Sequence, residues 1–249
     1  MFPFRDHNPS ARTPYVTYAL ILLNIAVFAL NWAQLADDRA VFLFYQDWAL
    51  IPAKVSAGAG FQGFVTSVFL HGGFFHLAGN MLFLWVFGDN MEDAFGHIKF
   101  LLFYLICGAG AGLVQVLAAP ASGVPIVGAS GAIAGVLGGY LLLYPRARVD
   151  MIIIFIVFFK TFTVPAWVTL GFWFALQVFN STSVDPGGGG VAYWAHTGGF
   201  VIGLLLTLPY WLRIGGANSW RDNLGKPPHP DSDFTMHDSD IPSVRRRRR

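Results

Sequence analysis

A serine set between glycines, Gly128-Ala129-Ser130-Gly131, opens a short apolar run, and His196 opens another later in the chain. Serine and histidine held side by side are a nucleophile and its general base, the parts needed for acyl transfer. A serine at a helix start also caps the helix through its own hydroxyl, so residue type alone leaves both readings open. His76 and Asn80, four apart, project from one face of a helix and can donate hydrogen bonds to a common point. That is the requirement for stabilising a developing oxyanion, to which the Ser130 backbone N–H would add.

Whether these groups can meet depends on the elements that carry them. Hydrophobic residues make up 55% of the chain and charged residues 12%, a balance that excludes a water-soluble domain and predicts a polytopic membrane protein. The net charge of +2 is small and resides in tails and short loops, so it reports topology and predicts no nucleic-acid partner. The single Cys107 lies in an apolar stretch and cannot form an intrachain disulfide.

Six apolar segments of helical length are expected, near 15–33, 75–87, 98–118, 130–144, 164–179 and 194–212. The expected organisation is a cytoplasmic N-terminal tail over 1–13, an all-α six-helix membrane domain over 14–213, and a disordered basic C-terminal tail over 214–249 that ends in five arginines. No cleavable signal peptide is expected, so the first span is read as a retained anchor. Between the first two spans the chain is semi-apolar, with Trp48, Phe61, Phe64 and Phe69, and is read as partly immersed. The segment 151–159 is read as a re-entrant or interfacial piece, because fusing it to the fifth span would put Lys160 deep in the bilayer at about 2.5–3.5 kcal/mol. Lys and Arg concentrate on one side of this arrangement, which puts both termini in the cytoplasm.

Counting depth brings the polar groups together. With Arg146 at the cytoplasmic boundary, Ser130 lies about 16 residues or roughly 24 Å above it. From Arg213 to His196 is about 17 residues or roughly 26 Å. From Glu92, His76 and Asn80 lie roughly 24 and 18 Å up. All four fall on the non-cytoplasmic side of the midplane, and no carboxylate lies at that depth, so the expected unit is a dyad. Gly131, Gly135 and Gly139 on the fourth span, with Gly199 and Gly203 on the sixth, allow close backbone approach.

Taken together, Gly128-Ala129-Ser130-Gly131, His76-x-x-x-Asn80 and Ala195-His196-x-x-Gly199-x-x-x-Gly203 resemble the rhomboid intramembrane serine proteases, over roughly 13–212. The resemblance implies a six-helix bundle in which Ser130 is the nucleophile, His196 the base, and His76 and Asn80 the oxyanion donors. It implies transmembrane substrates cut near the outer face, with no metal or cofactor. His71 and Glu92 fall at positions that are structural in the family. Two positions depart from its pattern. Ala134 stands where many members carry an aromatic that stacks on the histidine, and Gln62-Gly63 replaces a Trp-Arg pair common in the first loop.

Other features receive plainer readings. His71 and His76, five apart, fall on different helical faces, and a zinc centre is not expected. Asp89 and Asp93 are read as solvated caps at a cytoplasmic helix end. Trp167, Phe172, Trp173 and Phe174 of the fifth span are read most simply as lipid-facing or packing residues, with a lateral gate for an entering substrate helix at Trp173 and Phe174 as the second reading. A non-catalytic scaffold that escorts transmembrane clients is the alternative function, and would be expected to lack the serine or the histidine. A small transporter is disfavoured by the absence of an inverted repeat. The expected compartment is a bacterial inner membrane, with lipid bilayer and transmembrane proteins as the partners.

Overall fold

The computed structural model describes residues 2–32, 37–155, 158–222 and 225. The chain is mostly helical. In order it forms β1 (Phe2–Asp6), α1 (Tyr15–Leu30), α2 (Asp38–Trp48), α3 (Pro52–Ser56), α4 (Gly63–Thr66), α5 (Phe74–Phe95), α6 (His97–Ala118), α7 (Ser130–Leu143), β2 (Arg148–Phe155), β3 (Phe158–Pro165), α8 (Ala166–Ser183), α9 (Tyr193–Arg213) and α10 (Ala217–Asp222).

Helix α7 is the axis of the bundle. Eleven of its fourteen residues are buried, including Gly131, Ala132, Ala134, Gly135, Gly138 and Gly139, and its most extensive contact is with α9. Small side chains are required there. A Cβ on Gly199 would collide with the Gly131 carbonyl, one on Gly203 with Gly135, and one on Gly138 with the Phe200 carbonyl. Around this seam the large buried side chains Tyr104, Tyr140, Phe87, Phe100 and Phe200 fill the core. The outer surface is apolar as well: Leu22, Leu102, Leu117, Phe172, Phe179 and Leu205 are all exposed. An apolar coat around an apolar core is what a bilayer solvates and water does not.

Of the six expected spans, α6 and α9 are long and apolar enough to cross a membrane by themselves. Helix α5 reaches that standard together with Gly63–Phe69, from which it is bent by 95°. Helices α1 and α7 are shorter apolar helices, and α8 ends in the polar run Asn180-Ser181-Thr182-Ser183.

Several expectations are corrected. Of the piece at 151–159, read as re-entrant or interfacial, residues 151–155 and 158–159 lie in paired antiparallel strands, β2 and β3, which a helical re-entrant segment would not form. Val149 and Met151 are buried while Asp150 between them is less so, the period-two alternation of a strand, and Lys160 is exposed. The bundle therefore carries a small sheet, of order β1-β2-β3, and Val164 belongs to β3 rather than to the fifth helix. Within the expected N-terminal tail, β1 pairs with β2. Asp89 and Asp93 are not simply solvated caps, since Asp89 accepts a hydrogen bond from Ser10 Oγ at 3.0 Å and Asp93 one from the Ala11 N–H at 3.0 Å. Within the expected disordered tail over 214–249, Ala217–Asp222 form α10 instead, and the arginine run lies outside the described residues.

Candidate active site

Ser130 is the first residue of α7 and His196 lies in the first turn of α9. The close backbone contact of the two helices brings the short serine within reach, and Ser130 Oγ is 2.8 Å from His196 Nε2. The hydroxyl is not at the cap position: Ala129 is the N-cap residue of α7, and Ser130 is the first residue inside the helix. The first N–H groups of any helix lack intrahelical acceptors, so donors and the positive end of a helix dipole stand beside the hydroxyl.

The approach to Ser130 is fixed from the first loop. Leu50 and Ile126 exchange backbone hydrogen bonds of 3.2 and 2.8 Å, and the Gly128 N–H donates to the Ser67 carbonyl at 2.9 Å. The loop is itself tied by Gln62 Nε2 to the Asp47 carbonyl at 3.0 Å and by Thr66 Oγ1 to the Trp48 carbonyl at 2.6 Å. Gly63 lies against the backbone of Ala49 and Leu50, where a Cβ would come within 2.8 Å of the Leu50 Cα. Gln62-Gly63 thus supplies an anchor of its own. Gly128 takes φ +125°, and a Cβ there would stand 2.7 Å from His76 Nε2. Conformation and space both demand glycine.

His76 and Asn80 flank the same point from α5. Asn80 is buried, and its Nδ2 donates to His71 Nε2 at 3.0 Å. That bond takes one of the two amide hydrogens and leaves the other for the cavity. His71 and His76, expected to diverge, are neighbours with ring centroids 5.1 Å apart, because His71 precedes α5 instead of lying on it. Ser130, His196, His76, Asn80 and Gly128 line one cavity of about 750 Å³, whose walls include Phe75, Phe83, Leu137 and Trp173.

Two groups around His196 escape the sequence reading. Gln177 Oε1 lies 2.9 Å from His196 Nδ1, and Trp173 lies one turn before it on α8, its ring 5.8 Å from the imidazole at 32°. The expected gate pair therefore packs inward: Trp173 on His196, and Phe174 stacked on Phe200 at 4.3 Å. The outward aromatics of α8 are Trp167, Phe172 and Phe179. Ala134 is fully buried, which leaves no room for an aromatic from α7. The available signal was the four-residue spacing of Trp173 and Gln177 on one helical face. Gln115 of α6 also went unnoticed. It accepts the Ala195 N–H at 3.2 Å and donates to the Pro186 carbonyl at 3.0 Å, fixing the start of α9.

These features define a membrane-embedded helical protein with a serine–histidine pair lining a cavity. The Rhomboid domain model matches residues 59–213, and the chain belongs to the rhomboid family. Rhomboid protein 1, mitochondrial, of Saccharomyces cerevisiae is 32% identical over 201 residues, 76% of this chain and 51% of that protein. Rhomboid protease GluP of Bacillus subtilis is 31% identical over 214 residues, 82% of this chain and 36% of that protein. Rhomboid-like protein 11, chloroplastic, of Arabidopsis thaliana is 34% identical over 132 residues, 53% and 43% respectively. The chain spans about half the length or less of these relatives. Their names point to mitochondria and chloroplasts as well as to a bacterium, so the expected bacterial inner membrane is not supported; an integral membrane protein is.

Proposed function

We propose that this chain is an intramembrane serine endopeptidase that cuts transmembrane segments of other proteins near the non-cytoplasmic face. The observation that carries the reading is the 2.8 Å contact between Ser130 Oγ and His196 Nε2 at a cavity wall. In this reading Ser130 Oγ attacks the scissile carbonyl carbon while His196 Nε2 takes its proton, and the oxygen becomes an oxyanion. The N–H of Ser130, the free amide hydrogen of Asn80 and the His76 ring stand ready to meet that charge. His196 returns the proton to the departing amine, and water entering the cavity repeats the sequence on the acyl-enzyme. The distribution of Lys and Arg supports six spans with both termini in the cytoplasm. Among the named relatives, Rhomboid protease GluP lends the precedent.

The test is cleavage of a generic transmembrane substrate by detergent-purified wild type, Ser130→Ala and His196→Ala. Cleavage by wild type alone is the expected result. Equal cleavage by all three, or none by wild type across several substrates, would remove the reading.

A further inference from the structure

We infer that Gln177 is a positioning residue of the site, holding His196 in the tautomer and orientation that leave its Nε2 lone pair facing Ser130. The inference rests on the protease reading and adds a third member to the pair. It follows from the hydrogen bonds that surround the amide. Gln177 Nε2 lies 3.4 Å from the Trp173 carbonyl and donates toward it, which turns Oε1 toward His196. An amide oxygen only accepts, so His196 Nδ1 carries the hydrogen and donates to Gln177 at 2.9 Å. A neutral imidazole with its hydrogen on Nδ1 has its lone pair on Nε2, and that nitrogen is 2.8 Å from Ser130 Oγ. The chain of donors therefore runs from the Ser130 hydroxyl to His196 Nε2, and from His196 Nδ1–H to Gln177 and so to α8.

The helix turn that carries the amide is well held. Gln177 is buried, and the Ser181 hydroxyl donates to the Gln177 backbone carbonyl at 2.8 Å while also meeting Thr197 Oγ1 at 3.0 Å on α9. One turn earlier on the same helix, Trp173 sits beside the His196 ring, tilted by 32°. Helix α8 thus supplies both the acceptor and the aromatic neighbour that fully buried Ala134 cannot provide. A carboxamide also suits the depth: it fixes the ring with no buried charge, whereas a carboxylate there would have to be desolvated.

Membrane-reconstituted full-length Gln177→Ala, Gln177→Glu and wild type, assayed with one transmembrane substrate over a pH series, test the inference. Gln177→Ala should lower kcat on the order of 10- to 100-fold with KM within about twofold. Gln177→Glu should recover most of that loss and move the acid limb of the kcat/KM profile to higher pH, since a carboxylate at Nδ1 stabilises the imidazolium. A merely structural glutamine would lower activity in both variants without moving the limb. Full kcat in Gln177→Ala, or an acid limb unmoved in Gln177→Glu, overturns the inference. Should Gln177→Ala fail to fold, the limb in Gln177→Glu decides alone. Cleavage surviving Ser130→Ala would instead overturn the protease reading beneath it.

Discussion

The Tyr140 hydroxyl donates a 2.7 Å hydrogen bond to Asp6 Oδ2, joining the N-terminal strand to the helix that begins with Ser130. Burial pushes the Asp6 carboxyl up to about 7, against the opposing influence of this bond and with a further upward push from Asp89. The folded state therefore holds the proton more tightly than the unfolded chain. Asp6 contributes stability that is complete below the ordinary carboxylate range, about 4, and lost as pH rises to about 7. Asp6→Asn keeps an acceptor for Tyr140 but cannot ionise. Thermal unfolding in detergent should show the variant gaining on wild type between these pH values, with no further change above them. A difference independent of pH would contradict the ionisation of Asp6.

Glu92 is expected to be a stability residue. Its carboxylate accepts the backbone N–H groups of Val16 at 2.9 Å and Thr17 at 2.7 Å, the Thr17 hydroxyl at 2.7 Å, and faces His97 Nδ1 at 2.5 Å. It does for α1 what Pro14, the residue at the cap position, has no side chain to do. Glu92→Ala strands buried donors and should cost about 3 kcal/mol, read as a lowered midpoint in denaturant titration of the micellar protein. An unchanged midpoint would show that water replaces the carboxylate.

At the site, Asn80→Ala should lower kcat by about 100-fold with little change in unfolding midpoint. His71→Ala, which removes the acceptor that orients the Asn80 amide, should give a smaller loss of the same kind. Equal activity of Asn80→Ala and wild type would leave His76 and the backbone as the only oxyanion donors.

Gly128→Ala combines a positive φ with a Cβ placed 2.7 Å from His76 Nε2. Activity should fall at least as far as in Asn80→Ala, since the His76 ring is pushed away while the backbone leading into Ser130 is strained. A fully active Gly128→Ala protein would mean that the loop relaxes away from His76.

Most of the site was legible in the sequence because helix rise is constant: counting from Arg146, Arg213 and Glu92 puts Ser130, His196, His76 and Asn80 at comparable heights. Close approach of α7 and α9 was legible from their glycines. The sheet was not, because a short apolar run such as Ile152-Ile153-Ile154 has no period that separates strand from helix, and β1 declares itself only by pairing with it. The surroundings of His196 were hidden for another reason. Gln177 acquires meaning only once the rotation of α8 about its axis is known, and that rotation is set by Trp173 and Phe174 packing inward on His196 and Phe200.

The glycine seam has a mechanical consequence. With Gly199 against the Gly131 carbonyl and Gly203 against Gly135, α7 and α9 can neither slide nor roll past one another without collision, and together they behave as one stiff rod. Helix α8 touches that rod mainly along α9 and is otherwise held by the hairpin, so it is tied to the rod along one side. Ser130 and His196 ride on the rod, and the Gln177 amide that meets His196 rides on α8. The readiness of the pair is thereby tied to the seating of α8.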